Sequence, residues 1–421
     1  MKRLYLFLTT AIILELSAGL AGGQTVKTID SYVAHFADAG HFAGVVLAEK
    51  DGRIIYHKAF GPAEAENNVP NRLDTKFNVA SVTKPMTSVI LLKLIEAGKI
   101  SPEDKLSKFI PDFPSGDKIT ILMLGMHRSG IPHRVMPEEM EALPHTAAEM
   151  VEEAKKAKLA FEPGTERLYS SAGYAVLARV LEIASGKTYD QLLQEYVFNP
   201  AGMKDSVEFD SDLIIKNRGR DYFLAPSGLI AAPLKDFSFL VGAGSVFSTA
   251  GDIYKFGRAA IDEKYGANAK LNLVRNGVFS SNGSTNGFRC NVRIDTEKKY
   301  GFVVVSNLAS GANDLIIDSL PKILTGEEVA PPPVPEPTII AKSPKKLTDY
   351  EGVYKLGGSQ FTIYAREDQL SAGNFKLYPL GEDRFYNFWS YAEIKFMRDD
   401  KGRVTGLEWN GSAGKTVWTR E

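Results

Sequence analysis

The chain has a single cysteine, Cys290, in 421 residues, which excludes an internal disulfide framework and leaves no N-terminal cysteine for lipid attachment. An isolated thiol of this kind reads as a small core residue and not as a nucleophile. Excess charge of one sign is also missing. Lys and Arg number 50 against 51 Asp and Glu, and no basic block exceeds pairs such as Lys345 with Lys346, so the footprint of a nucleic-acid binder is absent. The six histidines, His35, His41, His57, His127, His133 and His145, lie in the first 145 residues. None is spaced as His-x-x-x-His or His-Glu-x-x-His, which argues against a metal site and leaves them as surface or hydrogen-bonded core residues. No serine stands in Gly-x-Ser-x-Gly, the nucleophile elbow of another hydrolase class. No glycine-rich phosphate loop is present either, so no metal or cofactor is expected.

Long apolar runs are scarce as well. Leu4 to Leu14 is interrupted at Glu15 and falls short of the about 20 residues that a bilayer span needs. It follows Met1-Lys2-Arg3 and precedes Gly19-Leu20-Ala21, the charged, apolar and small-residue order of a secretory signal. Residues 1–22 are therefore expected to be a signal peptide, and the mature protein to be exported, periplasmic or secreted, with no membrane span after cleavage.

The length exceeds that of one core, and 44% hydrophobic with 24% charged residues is ordinary for folded domains. Phe42 to Glu49 and Ile54 to Phe60, joined across Asp51-Gly52, predict a hairpin. Helical patterns follow at Ser81 to Ala97, Thr146 to Ala157, Ala172 to Ala184 and Tyr189 to Tyr196, after a first one at Thr28 to Ala39. Strands return at Arg289 to Ile294 and Tyr300 to Ser306, before an amphipathic helix at Asp314 to Leu324. Hairpins at both ends with helices between them predict an α+β domain, residues 25–328, whose terminal segments share one sheet. The proline-rich stretch within 329–343 reads as a stiff linker. Residues 344–421, with short β-rich segments separated by Gly, Asn and Asp, read as a small all-β domain. Its aromatics Phe385, Tyr386, Phe388, Trp389 and Tyr391 suit either a barrel core or a ligand cavity.

A serine hydroxyl becomes a nucleophile only beside a base that takes its proton. Ser81-Val82-Thr83-Lys84 offers one, because residues three apart share a helix face, and Pro85 is tolerated only in a first turn. The same spacing recurs at Ser115 with Lys118 and Ser343 with Lys346, but those lie in turn and linker compositions. Ser81 opens an apolar helix carrying Met86, Val89, Ile90, Leu94 and Ile95. Taken alone, Ser81 reads better as a helix N-cap and Lys84 as a solvated first-turn lysine.

Further segments carry a resemblance. Phe77-Asn78-Val79-Ala80-Ser81-Val82-Thr83-Lys84, then Pro163-Gly164-Thr165 with Tyr169-Ser170-Ser171-Ala172-Gly173-Tyr174, then Ser281-Asn282-Gly283-Ser284 resemble, in order, the three motifs of the serine β-lactamase-related family. That family includes class C β-lactamases, D,D-peptidases, D-aminopeptidases and family VIII carboxylesterases. His127-Arg128-Ser129-Gly130-Ile131-Pro132 and Gly242 to Ala250 resemble two further landmarks. The resemblance, roughly Phe42 to Leu324, implies an antiparallel sheet flanked by helices with a helical subdomain, and the C-terminal segment resembles a small lipocalin-like barrel often appended to it. It also implies Ser81 as nucleophile, Lys84 as base, Tyr169 as proton relay, and a substrate and oxyanion region at Ser171, Ser281, Asn282, Gly283 and Ser284, with the N–H groups of Ser81 and Ser284 as oxyanion donors. Two positions depart from it. Ser281 replaces the usual lysine and Ser171 the usual asparagine, so a cation for a substrate carboxylate is missing unless Arg289 supplies it. The implied activity is acyl transfer from a small ester or amide to water. The alternatives are a D,D-carboxypeptidase or weak β-lactamase acting on a peptide, and a non-catalytic ligand-binding relative.

Overall fold

The computed structural model describes residues 23–421 apart from residues 344, 358 and 413. The signal peptide expected at 1–22 lies outside the described residues. Among those residues no helix is long and apolar enough to cross a membrane. The chain divides into two compact units, one made of residues 44–220 and 233–307, the other of the segments up to 43, 221–232 and 308–421.

In the first unit, β1 (Gly44–Lys50) and β2 (Arg53–Phe60) form the expected hairpin, with Asp51 and Gly52 both at positive φ in the turn. β3 (Val278–Thr285), β4 (Phe288–Asp295) and β5 (Tyr300–Ser306) complete an antiparallel sheet in the order β3, β4, β5, β1, β2, with the short strand Val274–Arg275 beyond β3. The two ends of the unit thus meet at its centre, Gly44 opposite Ser306 and Lys50 opposite Tyr300. This is the shared terminal sheet that the hairpin pattern predicts.

β3 is a strand that the sequence reading omits. Its Ser280-Ser281-Asn282-Gly283-Ser284 run has poor β propensity and reads as a loop ahead of a strand, yet all of it is paired residue by residue with β4. Alternation on β4 explains the outcome. Phe288, Cys290, Val292 and Ile294 are all buried and carry the pairing, so the hydrophobic side of the hairpin pulls the polar side into register.

The helical part is built around α1 (Thr83–Glu96), preceded by a 3₁₀ turn at Ala80–Val82. Met86, Thr87, Val89, Ile90, Leu91 and Leu94 are buried. Burial on more than one face makes α1 a central helix, not a surface one. α2 (Ser171–Ser185) ends at Gly186 in the left-handed region, as a glycine C-cap should. α3 (Ala250–Ile261) is capped by the Thr249 hydroxyl, which accepts from Asp252 N. The competing Ser-x-x-Lys segments behave as their composition suggests: Ser115 sits at φ 57° and Lys118 pairs with Glu162.

In the second unit, eight strands from Gly352 to Arg420 close into an antiparallel barrel filled by Tyr350, Tyr354, Ile363, Leu377, Phe385, Ile394, Phe396 and Leu407. Only Phe385 of the five aromatics singled out from the sequence belongs to that filling. Trp389 instead stacks on Phe375, centroids 4.3 Å apart, and Phe375 meets Phe223 at 5.5 Å. Phe223 belongs to a hairpin, Tyr222–Ala225 with Gly228–Ala231, that is extended by Leu308–Ala309 into a three-stranded sheet. Tyr391 receives a hydrogen bond from, or donates one to, His41 Nδ1 at 2.6 Å. Gly311 N donates to Phe388 O at 2.9 Å. These aromatics therefore seat the barrel on segments as much as 350 residues earlier, a contact that no local pattern encodes.

Gly311 is the tightest point of that seat. A Cβ there would stand 2.5 Å from Tyr391 Cγ and 2.8 Å from its Cδ1, while φ of −65° imposes no backbone strain. Gly311→Ala should lower stability by about 1–3 kcal/mol, the usual cost of overpacking. An unchanged midpoint in thermal or urea unfolding would contradict this packing.

Candidate active site

The turn that presents Ser81 is held by backbone strain and one amide side chain. Ala80, just before it, has φ 48°, a region that costs a residue with a Cβ roughly 1–2 kcal/mol. Buried Asn78 offsets this: its Oδ1 accepts from Ala80 N at 2.9 Å and its Nδ2 donates to Gly244 O at 2.9 Å. Val79 N donates to Val246 O at 3.0 Å, and the Thr83 hydroxyl accepts from Val246 N at 3.3 Å. The Gly242–Ala250 landmark is thus the backing of the Ser81 turn. Gly242, at φ 72°, has to be glycine because a Cβ would fall 2.7 Å from both Ala178 Cβ and Tyr174 O.

Lys84 lies one helical turn after Ser81 and is 5% exposed. Its Nζ is 3.3 Å from Ser81 Oγ and 3.2 Å from Ser171 Oγ, and it donates to Ala243 O at 2.8 Å. None of these partners is anionic. Burial without a counter-charge brings the amine pKa down to about 7. The solvated-lysine reading is thereby excluded.

Tyr169 completes the group. Its hydroxyl donates to Ser81 Oγ at 2.7 Å, and its ring passes 4.7 Å from Lys84 Nζ. Burial raises the phenol pKa, with the Ser81 hydrogen bond opposing it. The phenol therefore stays protonated at pH values where the Lys84 amine is neutral. Ser171, in place of an amide, offers Lys84 a single hydroxyl.

The third motif reaches the same point from the sheet. At Gly283 a Cβ would lie 2.8 Å from Ser81 N and 3.0 Å from Ala80 Cβ, so only glycine lets β3 pass this close to the Ser81 turn. Ser281, two residues away, shares the face of Gly283, whereas Asn282 and Ser284 point to the other face and are exposed. Arg289 is paired with Ser284 and is out of phase with Gly283. It projects from the far face of the sheet and does not replace the cation missing at Ser281.

Sequence reasoning misses three contributors. Asn78 stands inside a quoted motif without a role. His127 and His133, read as surface or core, accept through Nδ1 from Ser170 N at 3.1 Å and Ser171 N at 3.2 Å. Their only signal is the position of His127 in the His127–Pro132 landmark. Cys290 is buried and its thiol pKa is pushed up by burial, as a core residue requires.

The buried, uncompensated amine has a thermodynamic consequence. Lys84 binds a proton less readily folded than unfolded, so its cost is full below pH about 7 and fades as pH rises toward the unfolded value near 10.4. Lys84→Met should raise the thermal midpoint, and by more at pH 6 than at pH 9. A lower midpoint, or a gain that grows with pH, would contradict the burial of an unpaired amine.

A family model described as Beta-lactamase matches residues 29–323. The chain is 32% identical over 237 residues to the D-alanyl-D-alanine-carboxypeptidase/endopeptidase AmpH of Escherichia coli K12, covering 54% of this chain and 60% of that protein. It is 29% identical over 276 residues to penicillin-binding protein 4* of Bacillus subtilis, covering 62% and 61%. The matches thus span only about 60% of these curated relatives. Among solved structures, FmtA from Staphylococcus aureus shares the fold at TM-score 0.64 and 22% identity, covering 73% of this chain and 91% of that one. With the family model covering most of the chain and its three motifs gathered around one serine, the protein belongs to the beta-lactamase family.

Proposed function

We propose that the protein is a serine hydrolase that works through an acyl-enzyme at Ser81, with residues 25–328 as the catalytic domain and the barrel as an accessory one. The observation that carries this reading is the placement of Ser81 Oγ 2.7 Å from a protonated phenol and 3.3 Å from an amine whose pKa is about 7. Lys84 takes the Ser81 proton as Oγ attacks the carbonyl carbon. The developing oxyanion is met by the N–H groups of Ser81 and Ser284. As the bond to the leaving atom breaks, Tyr169 gives it a proton and is reprotonated by the Lys84 ammonium, so acylation ends with both groups restored. Water then repeats the sequence on the acyl-enzyme, and Ser81 is released.

For substrate we favour small esters or amides without a carboxylate beside the scissile bond. A carboxylate of that kind calls for a cation on the face of Ser281, and Ser281 and Gly283 supply none. The second reading, a D,D-carboxypeptidase or weak β-lactamase, is favoured by the likeness to AmpH and penicillin-binding protein 4*. A non-catalytic binder is disfavoured because it has no use for a buried amine that costs stability. The leader expected at residues 1–22 would place this action outside the cytoplasm.

A fluorophosphonate probe should label the Ser81 peptide and fail on Ser81→Ala; labelling elsewhere removes the nucleophile assignment. Lys84→Met should lower kcat/KM by about 10²-fold or more. Because only the neutral amine accepts a proton, kcat/KM in the native protein should fall about tenfold per pH unit below pH about 7 and level off above it. A flat profile between pH 5 and 8 would exclude Lys84 as the base. Turnover of p-nitrophenyl esters against nitrocefin decides the substrate class, efficient nitrocefin hydrolysis favouring the second reading.

A further inference from the structure

The segment carrying Tyr169 is irregular, and its hydroxyl is placed on Ser81 from a ring that is 41% exposed. Something has to hold it. Two imidazoles do so. His127 lies between two phenol rings, with its centroid 4.6 Å from that of Tyr169 and 5.0 Å from that of Tyr174. His133 packs on Tyr169 from a second direction at 5.4 Å. The backbone on the C-terminal side of Tyr169 is bound at two consecutive N–H groups, Ser170 by His127 and Ser171 by His133. The Ser170 hydroxyl donates to Pro132 O at 2.9 Å and accepts from Gly173 N at 2.8 Å, tying the His127–Pro132 landmark to the first turn of α2.

We infer that His127 and His133 are positioning residues that clamp the Tyr169 segment and so control proton delivery to the leaving group. The clamp needs neutral rings, since a nitrogen that accepts an N–H cannot also carry a proton. The surroundings enforce this. Desolvation first, and then the charge of protonated Lys84, lower the buried His127 to about 4, with Arg167 and His133 acting in the same sense and the Ser170 hydrogen bond opposing them; the same two causes lead for His133, although that residue is exposed overall. Arg134 also lowers His133, and Glu141 alone opposes it. Desolvation thus keeps the acceptors available where Lys84 is neutral, and the charge of protonated Lys84 keeps them so at lower pH.

This inference rests on Tyr169 as the leaving-group acid, and leaving-group chemistry tests it. p-Nitrophenolate departs without a proton, whereas an alkoxide needs one. With p-nitrophenyl butyrate and ethyl butyrate as probes sharing one acyl group, His133→Leu should lower kcat/KM for the ethyl ester by about 10²-fold and for the nitrophenyl ester by less than about 5-fold, as a small misplacement of an acid does. Tyr169→Phe should show the same selectivity. His133→Asn, whose Oδ1 can accept in place of Nδ1, should recover most of the loss; His133→Gln, which puts its amide at the Nε2 position, should not, and it replaces His133→Leu if that variant does not fold. Equal losses on both esters, the mark of general structural damage, would overturn the clamp. So would selectivity in Tyr169→Phe without it in His133→Leu. Absence of selectivity in both would overturn the reading of Tyr169 and the clamp together.

Discussion

Burial of one lysine amine without a counter-ion is the constraint around which the first unit is organised. Lys84 keeps its lowered pKa only if each of its hydrogen bonds ends on a neutral oxygen, and the three that surround it come from separate parts of the chain: Ser81 just before its own helix, Ser171 at the start of α2, and the Ala243 carbonyl. A carboxylate in any of those places would favour the charged amine and raise its pKa again. The two histidines nearby follow the same rule, since desolvation and the charge of Lys84 both disfavour a second cation there.

Such an arrangement demands close approach of backbones, which explains where the site tolerates strain and where it needs glycine. Ala80 adopts a left-handed conformation because the turn must aim Ser81 Oγ at both Lys84 and Tyr169, and Asn78 holds that conformation through two hydrogen bonds to backbone. Gly283 then allows β3 to lie against the Ser81 N–H. The energy for holding these elements together comes from elsewhere: the apolar packing of α1, α2 and α3 and the inner face of β4. Polar chemistry sits at the edge of a hydrophobic core and is stabilised by it.

The second unit shows the limits of a modular reading. A proline-rich stretch and a change of composition mark residues 344–421 as separate, and the closed barrel is there. Yet the barrel is seated through Tyr391, Phe388 and Trp389 on His41, Gly311 and the Tyr222–Ala231 hairpin, all far away in sequence. Aromatic residues in a β-rich segment look alike whether they fill a barrel or cover its outside, because period-two alternation is lost where strands end and loops begin.

What the sequence determined by itself was whatever local spacing can encode. The Asp-Gly turn between β1 and β2, the Ser81-to-Lys84 spacing at the head of an apolar helix, and the Gly186 cap of α2 follow from periodicities of two and 3.6 residues. The helix α3 went unread, although Ile253, Phe256 and Ala260 behind Thr249 carry the same rhythm. Tertiary structure alone decided the rest. The basicity of Lys84 depends on burial, the side on which Arg289 projects depends on its register with Ser284, the strand at Ser281–Ser284 depends on the hydrophobic face of β4, and the clamp of His127 and His133 depends on a loop 40 residues before Tyr169 folding back onto it. Each is a relation between segments distant in the chain, and desolvation, register and packing do not exist until those segments meet.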